Sequence, residues 1–160
     1  MPKKIMDKKV AIGVIIIVAV VLVITWWLGS PLFLDKIVNE EFPAAGDKIE
    51  TNNSSIIAKL EGQFVDADNF HKTSGTAKII IVDDKKFLSL ENFETTNGPD
   101  LYVYLSTDKS SEDYANLGRL KGNVGDQNYE ISDDIDLENY NTAVIWCRAF
   151  SVLFGSAELQ

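Results

Sequence analysis

Cysteine and histidine are almost missing from this chain. Cys147 and His71 are the single representatives in 160 residues, and both methionines, Met1 and Met6, sit at the N-terminus. Each shortage excludes a class of site. One cysteine cannot form an internal disulfide. A structural zinc site takes about four nitrogen or sulfur ligands, more than one Cys and one His supply. Blue copper usually takes two His and one Cys with a weak axial Met, and one such chain cannot build that set. No metal ligand set is therefore read from the sequence. No Cys-x-x-Cys-His occurs, which excludes covalent c-type haem attachment. Haem asks for fewer ligands, and either His71 or Cys147 could supply an axial group.

Other chemistry is missing too. The glycines between Gly118 and Gly125 are not followed by Gly-Lys-Ser/Thr, so they form no phosphate loop. A serine triad would have to use His71, and no nucleophile elbow accompanies it. Asp133, Asp134, Asp136 and Glu138 invite a calcium reading, yet the EF-hand glycine and its terminal bidentate Glu are absent. That cluster reads as a solvated acidic turn. A stand-alone enzyme is not expected.

What the chain has is one long apolar run. Val10 to Leu28 contains no charge and a single hydroxyl, at Thr25. As a helix it would extend about 28 Å, close to the hydrocarbon thickness of a bilayer. It is apolar on every side, unlike the amphipathic helices of soluble domains. Lys3, Lys4, Lys8 and Lys9 precede it, and Lys36 is the first basic residue after it. The positive-inside rule then keeps residues 1–9 as a cytoplasmic basic tail and sends the remainder outside, extracellular or periplasmic. Trp26 and Trp27 stand at the far end, where aromatic rings favour the interface. The run is longer than a signal-peptide core, and no small-x-small cleavage site follows it, so an uncleaved anchor is expected.

Beyond the run the chain is acidic. The whole carries −9; the basic tail has four Lys against Asp7, which leaves −12 for residues 29–160. Such a surface disfavours nucleic acid and anionic lipid. Its plainest meaning is solubility.

Residues 29–58 read as a juxtamembrane connector. Leu32 to Val38 could form a short helix ending before Pro43. Ala44 to Asp47 and Thr51 to Ser55 look like spacer, and Asn52 and Asn53 each begin an N-x-S sequon. From about residue 59 to 160 the pattern is short strands and turns. Lys78 to Val82 is β-branched and ends at Asp83-Asp84; Phe87 to Phe93 follows. Asn97-Gly98 is a turn signal, since both residues tolerate positive φ. Leu101, Val103 and Leu105 alternate with Tyr102 and Tyr104. Thr107 to Asn116 reads as a polar crossing. Gln127 to Ser132, Thr142 to Phe150 and Ser151 to Leu159 complete the set. About eight antiparallel strands without a helical period predict an all-β sandwich or barrel behind one transmembrane helix.

Cys147 is the one residue with chemistry left to explain. On a strand it would share a face with Ile145 and Ala149, while Val144, Trp146 and Arg148 face the other way. The apolar neighbours predict burial, and Arg148 points away from the thiol. An inert buried thiol, a redox thiol, a cofactor ligand and an intermolecular disulfide all remain open on these grounds.

Several pieces, in order, narrow the choice: Gly62-Gln63-Phe64, His71-Lys72-Thr73-Ser74-Gly75, Asn97 to Leu105, Leu120 to Tyr129 with its Gly-Asn-x-Gly-Asp-Gln, and Val144 to Ala157 with Trp146-Cys147. Residues from about Leu60 to Leu159 thereby resemble the DM-thirteen domain family, which is Skeletor-associated and often found beside DOMON and b-type cytochrome domains. The resemblance implies an all-β fold. It implies electron transfer by the cysteine matching Cys147, as a bare thiol or through a bound group such as haem, with His71 as a further candidate ligand. The neighbouring domains are not in this sequence, so a redox partner would be a separate protein. On the residues alone, His71 reads as a turn residue before the strand at Gly75. Asp126 and Gln127 could tie the glycine loop to the backbone. The competing function is a non-catalytic surface binding or structural module in which Cys147 only packs.

Overall fold

The computed structural model describes residues 8–29, 34–41, 57–82 and 84–160. The tail before Lys8, the spacers at 44–47 and 51–55 and the sequons at Asn52 and Asn53 lie outside them. The chain divides into two compact units, one ending at Leu34 and the other comprising Asp35–Gln160.

The first unit contains α1 (Lys8–Gly29). At 1.5 Å per residue its 22 residues extend about 33 Å, and it is long and apolar enough to cross a membrane. Its Val and Ile side chains are exposed on every face. Thr25, the one hydroxyl, donates back to the Val21 carbonyl at 2.8 Å, which satisfies it within the helix.

The second unit is all-β, with two antiparallel sheets. One has the order β1 (Ile57–Gln63), β3 (Thr73–Val82), β4 (Lys85–Thr95), β7 (Gln127–Ile131). The other runs β2 (Val65–Asp66), β9 (Val152–Glu158), β8 (Thr142–Cys147), β5 (Leu101–Ser106), β6 (Tyr114–Arg119). The sheets face each other as a sandwich and do not close into a barrel. Period-two alternation builds the space between them. Ala77 and Ile79 of β3, Leu88 and Leu90 of β4, Leu101, Val103 and Leu105 of β5, and Ala143, Ile145 and Cys147 of β8 all enter one core. Phe64 and Phe93 meet edge-to-face within it, at 5.3 Å between centroids.

The expectations on β5, β7 and β9 match these strands, and β8 starts at Thr142 as expected but ends at Cys147, short of Phe150. Three details differ. Tyr114 to Asn116, taken as the end of a polar crossing, belongs to edge strand β6. The Asn97-Gly98 segment carries no positive φ and joins strands of different sheets, so it is a crossover and not a hairpin. Leu34 to Val38 is not helical. Ile37 forms a parallel β-bridge with Val124, and residues 35–41 run as a strap along the domain.

One buried polar contact joins the two sheets. Thr73 Oγ1, on β3, donates to the Phe154 carbonyl on β9 at 2.9 Å and lies 2.8 Å from Thr95 Oγ1 on β4. Thr73→Val keeps the shape but takes the donor from the Phe154 carbonyl, while Thr95 Oγ1 still donates to the Lys72 carbonyl at 3.1 Å. A loss of about 1–2 kcal/mol is expected in denaturant unfolding. A change near zero would mean that water or a neighbour replaces the bond.

Candidate functional site

Cys147 is the last residue of β8, with no solvent exposure. Its strand partners are Leu101 on β5 and Val152 on β9, and its inward neighbours on β8 are Ala143 and Ile145. Burial follows from the alternation, as the sequence implies. Ala149 does not join that face, because the strand ends at Cys147 and residues 148–151 turn, with Ser151 at φ 53°. Ala149 and Phe150 are exposed at the tip.

The outer face of β8 and β5 is aromatic. Trp146 stands directly opposite Tyr102. The Arg148 guanidinium lies 4.6 Å from the Tyr102 ring centroid, a cation–π contact that holds the cation away from the thiol. Tyr104 stacks on Tyr114 at 4.2 Å. Burial, with Tyr114 adjoining, pushes the Tyr104 phenol up to about 12.

His71 ends the loop between β2 and β3. Its Nδ1 lies 2.8 Å from Asp68 Oδ2, and its ring packs on Phe154 at 4.4 Å. Asp68 organises this loop: its Oδ1 accepts the backbone N–H groups of Phe70 and His71, both at 2.7 Å. The sequence reading overlooked Asp68. The signal was an Asp two and three residues before the N–H groups it caps, the pattern of an Asx turn. The His71 side chain, then the N–H groups of His71 and Phe70, hold the Asp68 carboxyl down at about 2.

A depressed carboxyl stabilises the loop fully above its ordinary pKa near 3.9, and the effect is lost as pH falls through the folded value. In the acid range the Phe70 and His71 amide resonances should therefore shift with a midpoint near 2, below the ordinary carboxylate value near 3.9. A midpoint near 4 would mean that these bonds do not form in solution.

The structure does not join the two candidate residues directly. Among the described residues no hydrogen bond or ion pair links His71 to Cys147; the connection is through Phe154, which shares the core with the thiol. No group of three or more His, Cys, Asp or Glu able to hold a metal occurs among the described residues. The acidic stretch 133–138 is used locally. Asp136 accepts the Glu138 N–H at 3.0 Å and the Asn139 amide at 2.7 Å, and Asp134 accepts from Ser132.

Cys147 does not fit haem in this arrangement. Packed strand neighbours surround its sulfur, and depressions of about 380, 570 and 650 Å³ among the described residues are lined by other side chains. No step through that group is derived.

The glycine loop between β6 and β7 is the most highly bonded part of the family-like motif. Gln127 is fully buried. Its Oε1 accepts from the N–H groups of Lys121 and Gly122, at 3.1 and 3.0 Å, and from the Tyr129 hydroxyl at 2.9 Å. Its Nε2 donates to the carbonyls of Gly122 at 2.8 Å and Gly125 at 3.3 Å. Asp126 accepts the Asn92 N–H at 2.7 Å. Both residues tie the loop to the backbone, as the sequence suggests.

The family model described as Electron transfer DM13 matches residues 63–159. No curated protein matches the chain, and no solved structure matches it. The matched range takes in nearly the whole β sandwich, including His71, the glycine loop and Cys147. With more than half of its length covered, the chain belongs to the DM13 electron-transfer family.

Proposed function

We propose that the chain is a membrane-anchored redox module, held outside the cytoplasm by α1, in which Cys147 is the electron-transfer group. The observation that carries this reading is the family match over the sandwich, with the chain's one thiol inside its Trp-Cys piece. The apolar helix and the lysines before it support the anchor and its orientation. The domain alone supplies no second thiol. Oxidation of Cys147 is therefore an exchange with the disulfide of a separate molecule. The Cys147 sulfur bonds to one sulfur of that disulfide, the original S–S bond breaks, and the departing thiol takes up the proton and the electron pair.

The thiol has no exposure, so this chemistry waits on a local opening of the 148–151 turn. The same zero exposure favours a second reading, a surface binding or structural domain in which Cys147 fills space.

The two separate by experiment. The full chain in detergent is incubated with oxidised glutathione, and mixed disulfide at Cys147 is followed by mass spectrometry against Cys147→Ser. The redox reading expects adduct under conditions where the sandwich stays folded. Adduct that forms only as the sandwich unfolds globally would leave the packing reading.

A further inference from the structure

The strap at residues 35–41 docks along the glycine loop in the manner of a bound peptide. Its backbone bonds are regular: the Val38 N–H donates to the Val124 carbonyl and the Glu40 N–H to the Asp126 carbonyl, both at 2.9 Å. The loop carries the strap onto the sheet behind it, since Gly125 N–H donates to the Phe93 carbonyl at 2.7 Å and Thr95 N–H to the Asn123 carbonyl at 2.8 Å.

Two carboxylates are read at the ends. Asp35 Oδ1 accepts the side-chain amides of Asn123 at 2.8 Å and Asn97 at 3.0 Å. Glu40 accepts from Lys121 Nζ at 2.7 Å and from the Asn128 N–H at 2.9 Å. Burial alone would raise the Glu40 carboxyl, but Lys121 and the Asn128 N–H bring it below the ordinary range.

Shape agrees with charge. A Cβ on Gly122 would overlap the Lys36 carbonyl oxygen, and one on Gly125 would overlap that of Val38. Gly125 also holds a positive φ of 100°. Of the strap's two apolar side chains, Ile37 is 66% exposed and only Val38 is half-buried, beside Gly122. Recognition here is by backbone and carboxylate, the mode of β-strand addition.

We propose that the Gly122–Gln127 loop is a peptide-binding site for an extended acidic strand with carboxylates spaced as in Asp35 and Glu40, and that residues 35–41 occupy it as an intrachain ligand. The loop lies inside the range that matches the family, whereas the strap lies before it. The occupant is the strap itself, which belongs to the same compact unit as the loop. The inference involves neither Cys147 nor electron transfer.

The test uses the ¹⁵N-labelled full chain in detergent micelles and a synthetic Leu34–Glu41 peptide. In the wild type the added peptide should leave the Gly122, Val124, Gly125 and Asn128 amides unmoved. In Asp35→Ala/Glu40→Ala the amides of Val38 and of position 40 should exchange at least roughly tenfold faster, the scale of losing charge-assisted bonds. The peptide should then shift the four loop amides with half-saturation on the order of millimolar, the effective concentration that an attached strap has to match. A peptide with alanine in place of Glu40 should bind roughly tenfold more weakly. Three results would overturn the proposal: strap amides no faster in the double variant, loop amides unmoved by peptide after release, or equal binding of a scrambled peptide.

Discussion

Gln127→Leu is expected to destabilise the sandwich by about 3 kcal/mol or more, although the substitution is close to isosteric and apolar. The side chain has no contact with solvent and bonds several backbone groups at once. Leucine would leave the Gly122 N–H and carbonyl without their partners and remove the Tyr129 hydroxyl's acceptor. Each buried orphan costs about 1–3 kcal/mol, and only the Lys121 N–H keeps an alternative, the Tyr129 oxygen at 3.0 Å. Burial already pushes the Tyr129 phenol up, so ionisation offers it no relief.

Gln127→Glu separates the two halves of the amide. It keeps an acceptor for the N–H groups but aims an oxygen at the Gly122 carbonyl 2.8 Å away. It should also destabilise at neutral pH and recover in part as the new carboxyl is protonated. Urea unfolding of the full chain measures both. Losses within about 0.5 kcal/mol for both variants, the range of ordinary surface changes, would show that water satisfies the loop instead.

Because the strap docks on this loop, the same variant should free the Val38 and Glu40 amides. Hydrogen exchange at those two positions distinguishes a local loosening from a general loss of stability. General loss would speed core amides such as Val103 and Ile145 by the same factor.

Much of this loop was readable before the fold was known, and the reasons bear on what was not. The glycines and Gln127 fall within one short stretch, so a tie between them is a local inference. The strap's partners are far along the chain: Asp35 meets Asn123, and Glu40 meets Lys121. Nothing in Leu32 to Val38 alone signals such a contact, and its apolar residues suggest a helix in isolation. Tertiary backbone pairing at Val124 overrides that local preference.

The strands divide in the same way. β5 alternates because one face is core and the other aromatic, which period two displays directly. The start of β6 is an edge with Tyr114 exposed, so polarity masked it. β2 is a two-residue pairing against Gly155 and Ser156, too short for any periodicity. At the candidate site, burial of Cys147 was legible from Ile145 and its alternation. The Asp68 support of His71 depends on backbone geometry, which composition does not display.

The thiol of Cys147 should react with a small charged disulfide reagent about 10²- to 10⁴-fold more slowly in the folded chain than in urea. Its slope against low denaturant should be shallow. The first half follows from zero exposure: the reagent attacks only molecules in which the sulfur is open, and each 1.4 kcal/mol of opening free energy removes a factor of ten. The second half follows from position. Cys147 ends β8, and the turn beyond it is exposed at Ala149 and Phe150. Fraying there unpairs Cys147 from Val152 and exposes little of the core, so denaturant, which acts on newly exposed surface, accelerates it weakly. Its other partner, Leu101, is held beside the Arg148 N–H bond to the Asp100 carbonyl, at 3.0 Å. The same opening must break that bond. Arg148→Gly keeps that N–H but removes the cation over Tyr102 and loosens the backbone, so it should raise thiol reactivity severalfold while changing global stability much less. A reactivity slope equal to that of global unfolding, unmoved by Arg148→Gly, would mean that the sulfur is reached only when the sandwich melts. A redox group must be reachable while its protein is folded, so that result would reduce Cys147 to a core residue. A shallow slope would instead identify the β8–β9 turn as the opening through which the single thiol is reached in the folded chain.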